Sequence, residues 1–198
     1  MVKGRPAFVT ALGETDTPAG WRADKKSGGV VIEVETGEVL CRGLSMPHSP
    51  RWHAGKLWLL ESGAGSLGYI DPVTRQYRRM AELPGFTRGL DFVGNLAFVG
   101  LSQVRESAVF SGIPVAERPL TERCSGVWVV DITTGQTVAF VKFEDALQEV
   151  FAVQTLPGVR YPDLINDDNR LLANSFVLPE NALKVVPEPL RSSYPAPQ

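Results

Sequence analysis

A turn motif that recurs along the chain constrains its fold more than any other feature. Three segments share one pattern: GGVVIEVETGEVL (28–40), GSLGYIDPVTRQYRRM (65–80) and SGVWVVDITTGQTVAF (125–140). In each, alternating apolar residues run into an acidic residue, then a Thr-Gly or Thr-Arg turn, then a second stretch of the same kind. Period-two alternation marks half-buried strands. Thr36-Gly37 and Thr134-Gly135 supply hairpin turns, because glycine accepts positive φ without steric cost. A second pattern interleaves with the first. AGKLWLLES (54–62) and VGNLAFVGLS (93–102) share a Gly-Lys or Gly-Asn turn followed by a strand, and KGRPAFVTAL (3–12) fits the same slot. HSPRWH (48–53) and TRGLDF (87–92) precede them as short strands. Gly55 and Gly94 are 39 residues apart, and Gly37 and Arg75 are 38 apart.

One unit therefore has about four strands in about forty residues, the period of a β-propeller blade. The expected fold is all-β: a partial propeller of about three to four blades over residues 1–165, the C-terminal half of a six-bladed type. No helix longer than about ten residues is expected there, apart from a short turn within Glu144–Val150, where FEDALQEV holds good helix formers. Residues 104–124, VRESAVFSGIPVAERPLTERC, read as a long loop inserted in the third unit. Residues 166–198 read as a tail: 170–186 as one further strand or helix, and the Pro/Ser-rich end from Pro187 as mobile. Propellers hide their edge strands by closing, so an open arc implies either a fragment of a longer reading frame or edges that pair with another chain. Self-association or a protein partner at those edges is expected. Trp58 and Trp128 fall in strand slots and should pack between blades.

The run GRPAFVTALG…GW…GGVVIEVETGEVL…GLSMPHSPRWHAGKLWLLESGAGSLGYIDP…LPGFTRGLDFVGNLAFVGLS…RE…FSGIP resembles the C-terminal half of an uncharacterised bacterial family of conserved hypothetical proteins, a domain of unknown function with propeller-like repeats. The resemblance spans about residues 3–162 and is weaker from Pro162 onward. It implies further blades N-terminal to this stretch in family members. It implies a fold and almost no function.

Composition narrows the partners. Hydrophobic residues make up 43% of the chain, enough for a packed core. The formal net charge is −2 and no basic block occurs, so a nucleic-acid partner is not expected. MVKGRPAFVTALG lacks the apolar stretch of a signal peptide, and no apolar run approaches a membrane span. A cytoplasmic protein without a membrane partner is expected. Cys41 and Cys124 stand in separate segments without a CxxC and read as two free thiols.

Several strings imitate catalytic motifs. GAGSLG (63–68) fits G-x-G-x-x-G, and AGSLG (64–68) approximates a nucleophile elbow around Ser66. Both motifs need a helix to follow, and YIDPVT does not start one. NDDN (166–169) lacks the spacing of a calcium loop. His48 and His53 are five apart, an odd spacing that places them on opposite faces of a strand. His53, beside Gly55, reads as a hairpin residue. His48 lies at the start of a blade's first strand, just before Ser49-Pro50. Arg88 fills that slot in the next unit, and Glu149, in QEVFAVQTLPG, is the candidate after it. First strands of successive blades line one channel, so His48, Ser49, Arg88 and Glu149 are the candidate ligand-binding residues of a polar channel mouth. An imidazole, a fixed cation and a carboxylate together suit a small anionic or carbonyl ligand. No catalytic residue, metal or cofactor is assigned. The expected function is a binding or scaffold module. The alternative is a hydrolase of the lactonase or strictosidine-synthase-like propeller type, which such a chain resembles in architecture only. A metal lactonase needs several inward carboxylates. Glu149 is the one expected at the mouth, beside an arginine that repels a cation, and Asp91 lies three residues beyond Arg88.

Overall fold

The turn motifs act as the spacing demands. In a computed structural model, which describes residues 4–104, 111–144, 147–160, 162, 169–174, 181, 184–185 and 187, all three close hairpins. Glu33, Asp71 and Asp131 stand at the turns, and their carbonyls accept the N–H of Gly37, Arg75 and Gly135 at 2.9, 2.9 and 2.7 Å. The carboxylates bind the turn as well. Asp71 accepts from the N–H groups of Val73 and Thr74, and Asp131 from the N–H and hydroxyl of Thr133. Hydrogen bonds to the charged form hold both aspartates below the usual carboxylate range. The fourth residue is left-handed in every case, with φ of +71°, +54° and +75° at Gly37, Arg75 and Gly135.

These hairpins belong to three antiparallel sheets in which neighbouring strands follow each other in sequence. The first sheet holds β1 (Phe8–Ala11), β2 (Gly29–Glu33) and β3 (Val39–Leu44). The second holds β4 (Pro47–His53), β5 (Lys56–Glu61), β6 (Ser66–Ile70) and β7 (Tyr77–Glu82). The third holds β8 (Phe86–Val93), β9 (Leu96–Ser102), β10 (Ser125–Asp131) and β11 (Gln136–Phe143). The segments expected as strands are strands, and the three motifs are the hairpins β2–β3, β6–β7 and β10–β11. Between residues 4 and 155 the described helices are 3-10 turns of three to five residues. Residues 147–150 form no helical turn. There Gln148 and Val150 are tied to the end of β9 instead.

The sheets pack face to face in chain order. Val31, Cys41 and Leu44 of the first sheet meet Leu57, Leu59 and Ile70 of the second. The other face of the second sheet, with Trp58, Leu60 and Leu67, meets Leu90, Val99, Leu101, Trp128 and Val130 of the third. Trp58 and Trp128 are buried, as their strand slots predict, whereas Trp52 stays half-exposed and stacks on Phe8. A third cluster anchors the loop expected over residues 104–124: Val104, Ile113 and Val115 are buried against Met46 and Phe86. Pro114–Glu117 forms a 3-10 turn that inserts these apolar side chains. Buried Arg123 fastens the segment through the carbonyls of Val104 and Arg118, and Cys124 N–H donates to Pro84 O. Both cysteines are free thiols.

The chain divides into two compact units, Met1–Thr155 and Leu156–Gln198. In the second, the described residues include a short helix, α1 (Asn169–Asn174). The NDDN loop before Asn169 and the mobile end expected after Pro187 lie outside the described residues. Among the described residues, no helix is long and apolar enough to cross a membrane.

Candidate functional site

Two neighbouring first strands, β4 and β8, build the site because each is interrupted by a bulge. In β4, Ser49 and Pro50 together oppose one residue of β5. In β8, Arg88 and Gly89 together oppose one residue of β9. Such two-against-one bulges re-aim side chains and break the ladder locally. Ser49 and Gly89 are forty residues apart in the sequence and both are left-handed, at φ +55° and +86°. The Ser49 hydroxyl accepts the Gly89 N–H at 3.0 Å, which ties the two bulges together. His48 and Arg88 each directly precede one of these left-handed residues, His48 still paired with Leu60 and Arg88 already inside its bulge.

His48 is half-buried, with its ring edge-on to buried Phe86 at 6.4 Å. Burial lowers its pKa below the ordinary imidazole value, and the positive charge of Arg88 lowers it further. Near pH 7 the ring is therefore neutral, with one nitrogen to donate and one to accept. The Arg88 guanidinium lies over the ring of Phe151 at 4.5 Å. None of the ion pairs among the described residues involves Arg88. The structure thus brings His48, Ser49 and Arg88 together. Glu149 stands two residues from Phe151; its side chain is exposed and, among the described residues, joins no hydrogen bond or ion pair.

Phe151 belongs to an extended segment, 148–155, that runs beside β8. Gln148 O accepts the N–H of Gln103, and Val150 exchanges hydrogen bonds with the Ser102 hydroxyl at 2.9 and 3.3 Å. Asp91 takes the N–H and hydroxyl of Thr155 at 2.7 and 2.6 Å. Asp91 therefore serves as an anchor for this segment. The backbones approach so closely that a Cβ on Gly89 would lie 2.6 Å from Val153 N.

The motif look-alikes resolve into scaffold. Ser62–Ala64 is a 3-10 turn, Gly65 is left-handed, and Ser66 opens strand β6, so no helix follows the glycines. Ser66 is fully buried, 3.0 Å from the Tyr77 hydroxyl. His53 stacks flat on Phe92 at 4.2 Å, and its Nε2 lies 2.8 Å from Gly94 O. It is a hairpin residue, as its place beside Gly55 suggests.

Sequence reasoning missed Phe86 and Phe151, since nothing in their local pattern sets them apart from other apolar residues. It also missed a second polar cluster. Glu61 ends β5, accepts the Ser45 N–H at 3.0 Å and lies 3.7 Å from Arg79. Burial pushes the Tyr77 hydroxyl beside it above the usual phenol range. Glu61 and Tyr77 line a cavity of about 530 Å³ together with Cys41, Arg42 and Arg75. The signal was present: Glu61 is a carboxylate where the next unit, forty residues on, has Leu101.

Residues 1–165 match the model of a family described as a domain of unknown function (DUF4915). No curated protein matches the chain. Two computationally designed proteins of solved structure are similar to it. The Ika8 protein is 18% identical with a TM-score of 0.42, over 68% of this chain and 36% of its own. The Ika4 protein has the same identity and TM-score, over 68% of this chain and 71% of its own. The chain thus spans just over a third of the Ika8 protein.

Proposed function

The chain belongs to the DUF4915 family, described as a domain of unknown function, and since that membership names no activity we propose a reading drawn from the site: a β-propeller-type binding module whose mouth takes a small carboxylate or a related carbonyl-bearing anion. The sheets are its blades, and β4, β8 and segment 148–155 are the first strands that line its mouth. The observation that carries the reading is the backbone link that sets His48 beside Arg88. They precede left-handed residues forty positions apart, and the Ser49–Gly89 hydrogen bond joins the two bulges.

The chemistry follows from this pair. A guanidinium offers a planar fork that matches a carboxylate with two parallel hydrogen bonds. The ring of Phe151 beneath Arg88 leaves the N–H edges of that fork for a ligand. A neutral His48 adds one donor and no second full charge, which favours a monoanion over a phosphate dianion. Phe86 and Phe151 flank the pair with apolar surface for the body of such a ligand.

Calorimetric titration with benzoate and with inorganic phosphate tests this. Benzoate should bind more tightly than phosphate. Arg88→Ala should weaken benzoate about tenfold or more, the effect of losing a charge-assisted pair of roughly 1.5–3 kcal/mol. His48→Ala should weaken it less, and His53→Ala should leave it unchanged. Benzoate binding that survives Arg88→Ala at full strength would refute the assignment.

A further inference from the structure

Where β9 carries fully buried Leu101, β5 carries Glu61, whose side chain is only 12% exposed. Taking a carboxylate out of water is costly unless its oxygens are bonded. Glu61 is held in place but not saturated. One oxygen accepts the Ser45 N–H at 3.0 Å, whereas the other has the Ser66 hydroxyl at 3.4 Å and the Arg79 guanidinium at 3.7 Å. A carboxylate has about four acceptor sites, so capacity is left over for further donors. The surroundings are rigid. The Ser66 hydroxyl also meets the Tyr77 hydroxyl at 3.0 Å, and the tyrosine ring lies where Gly68 leaves room, since a Cβ there would come 2.6 Å from it. Glu61 and Tyr77 line the cavity of about 530 Å³ between β3 of the first sheet and β5 and β7 of the second. Small-molecule pockets span about 300–1,000 Å³.

The balance of charge selects the class of ligand. Arg42 and Arg75 also line the cavity, and they are paired with Glu14 and Glu38. Glu61 shares Arg79 with Glu82, and Glu82 pairs in turn with Arg118. Acids and bases thus cancel around the cavity, and a net charge on a ligand would find no uncompensated partner. Directional groups remain: Glu61 accepts, while Arg42, Arg75 and the Gln76 amide can donate. Leu40 and Arg75 line a second, smaller cavity as well, of about 250 Å³, where Trp52 stacks on Phe8. Acceptors and donors next to an aromatic face match a molecule with hydroxyls along its edges and C–H groups on its faces.

We propose that these adjoining cavities form a second ligand site, separate from the His48–Arg88 mouth, and that it takes a neutral saccharide. One ring places its hydroxyls on Glu61 and the guanidiniums of Arg42 and Arg75. The next ring lays its C–H face on Trp52.

Calorimetric titration of the full chain with maltose and cellobiose, two neutral two-ring probes of different linkage, tests this, with glucosamine and glucuronate as charged comparators. At least one disaccharide should bind, and more tightly than either charged sugar. Glu61→Gln keeps the shape and an acceptor for Ser45 but removes the charge, and should weaken that disaccharide about tenfold. Trp52→Ala alters a side chain that is more than half exposed, so it is compatible with folding. It should weaken binding about threefold or more. Arg88→Ala should leave disaccharide binding unchanged. Should Glu61→Gln fail to fold, Trp52→Ala decides the question. Absence of binding by both disaccharides in the millimolar range, or binding that either folded variant leaves at full strength, would overturn the site. Tighter binding of glucosamine would overturn the neutral ligand, because Glu61 would then act as an unbalanced charge. Loss of disaccharide binding in Arg88→Ala would move the sugar to the mouth and overturn the second site.

Discussion

At the scale of single residues, the site depends on two backbone positions and one titrating ring. Gly89 combines positive φ with close approach to Ala152 and Val153, and the atoms in the way are backbone. Gly89→Ala should therefore cost at least about 2 kcal/mol, measurable by urea unfolding, and should raise proteolysis within 148–155. His48 supplies a pH dependence of known sign. Its folded pKa lies below the ordinary 6.5, with burial the larger cause and Arg88 the second. As pH falls below 6.5, the unfolded chain takes up that proton before the folded one does. Stability is lost across that window, down to the folded pKa. His48→Gln should remove this part of the loss, so that the urea midpoint falls less between pH 7 and 5.5 than in the unaltered chain. An identical fall in both proteins would show that His48 is not buried as described.

At the scale of elements, the hairpins were legible in the sequence and the insertion was not. Turn chemistry is local: an acidic residue, a threonine and a left-handed fourth position can be read along one stretch of chain. Arg75 tests the point, because it adopts at φ +54° what Gly37 and Gly135 adopt freely. Open space surrounds the position a Cβ would take at Gly37, so Gly37→Ala should cost only the backbone preference, about 1 kcal/mol. Arg75→Gly should recover a similar amount, since its ion pair with Glu38 is exposed and contributes little. Residues 104–124 carry no such periodicity, and what fixes Ile113 and Val115 is a hollow lined by Met46 and Phe86, residues distant in sequence. Ile113→Ala should cost about 2–4 kcal/mol, as for a core residue, against the few tenths typical of a surface loop. The site divides in the same way. His48 and Arg88 could be picked from the sequence as candidates, since their segments match at a spacing of forty residues. Phe86 and Phe151 could not, because their roles come from contacts with other segments rather than from position within one.

At the scale of the whole molecule, β4 and β8 belong to different sheets, so any coupling between His48 and Arg88 is evidence about how the sheets are assembled. On the proposed propeller reading, one forty-residue pattern used more than once would bring side chains from separate sheets to a common place without a dedicated loop. The central claim is that neighbouring units join His48 and Arg88 in one anion-accepting mouth. The most direct measurement is the His48 ring titration, followed by NMR in the unaltered chain and in Arg88→Ala, each with and without saturating benzoate. The account predicts that Arg88→Ala raises the His48 pKa only part of the way to its ordinary value, because burial remains. It also predicts that benzoate raises the pKa in the unaltered chain but not in the variant. A His48 pKa that moves with neither the substitution nor the ligand would contradict it.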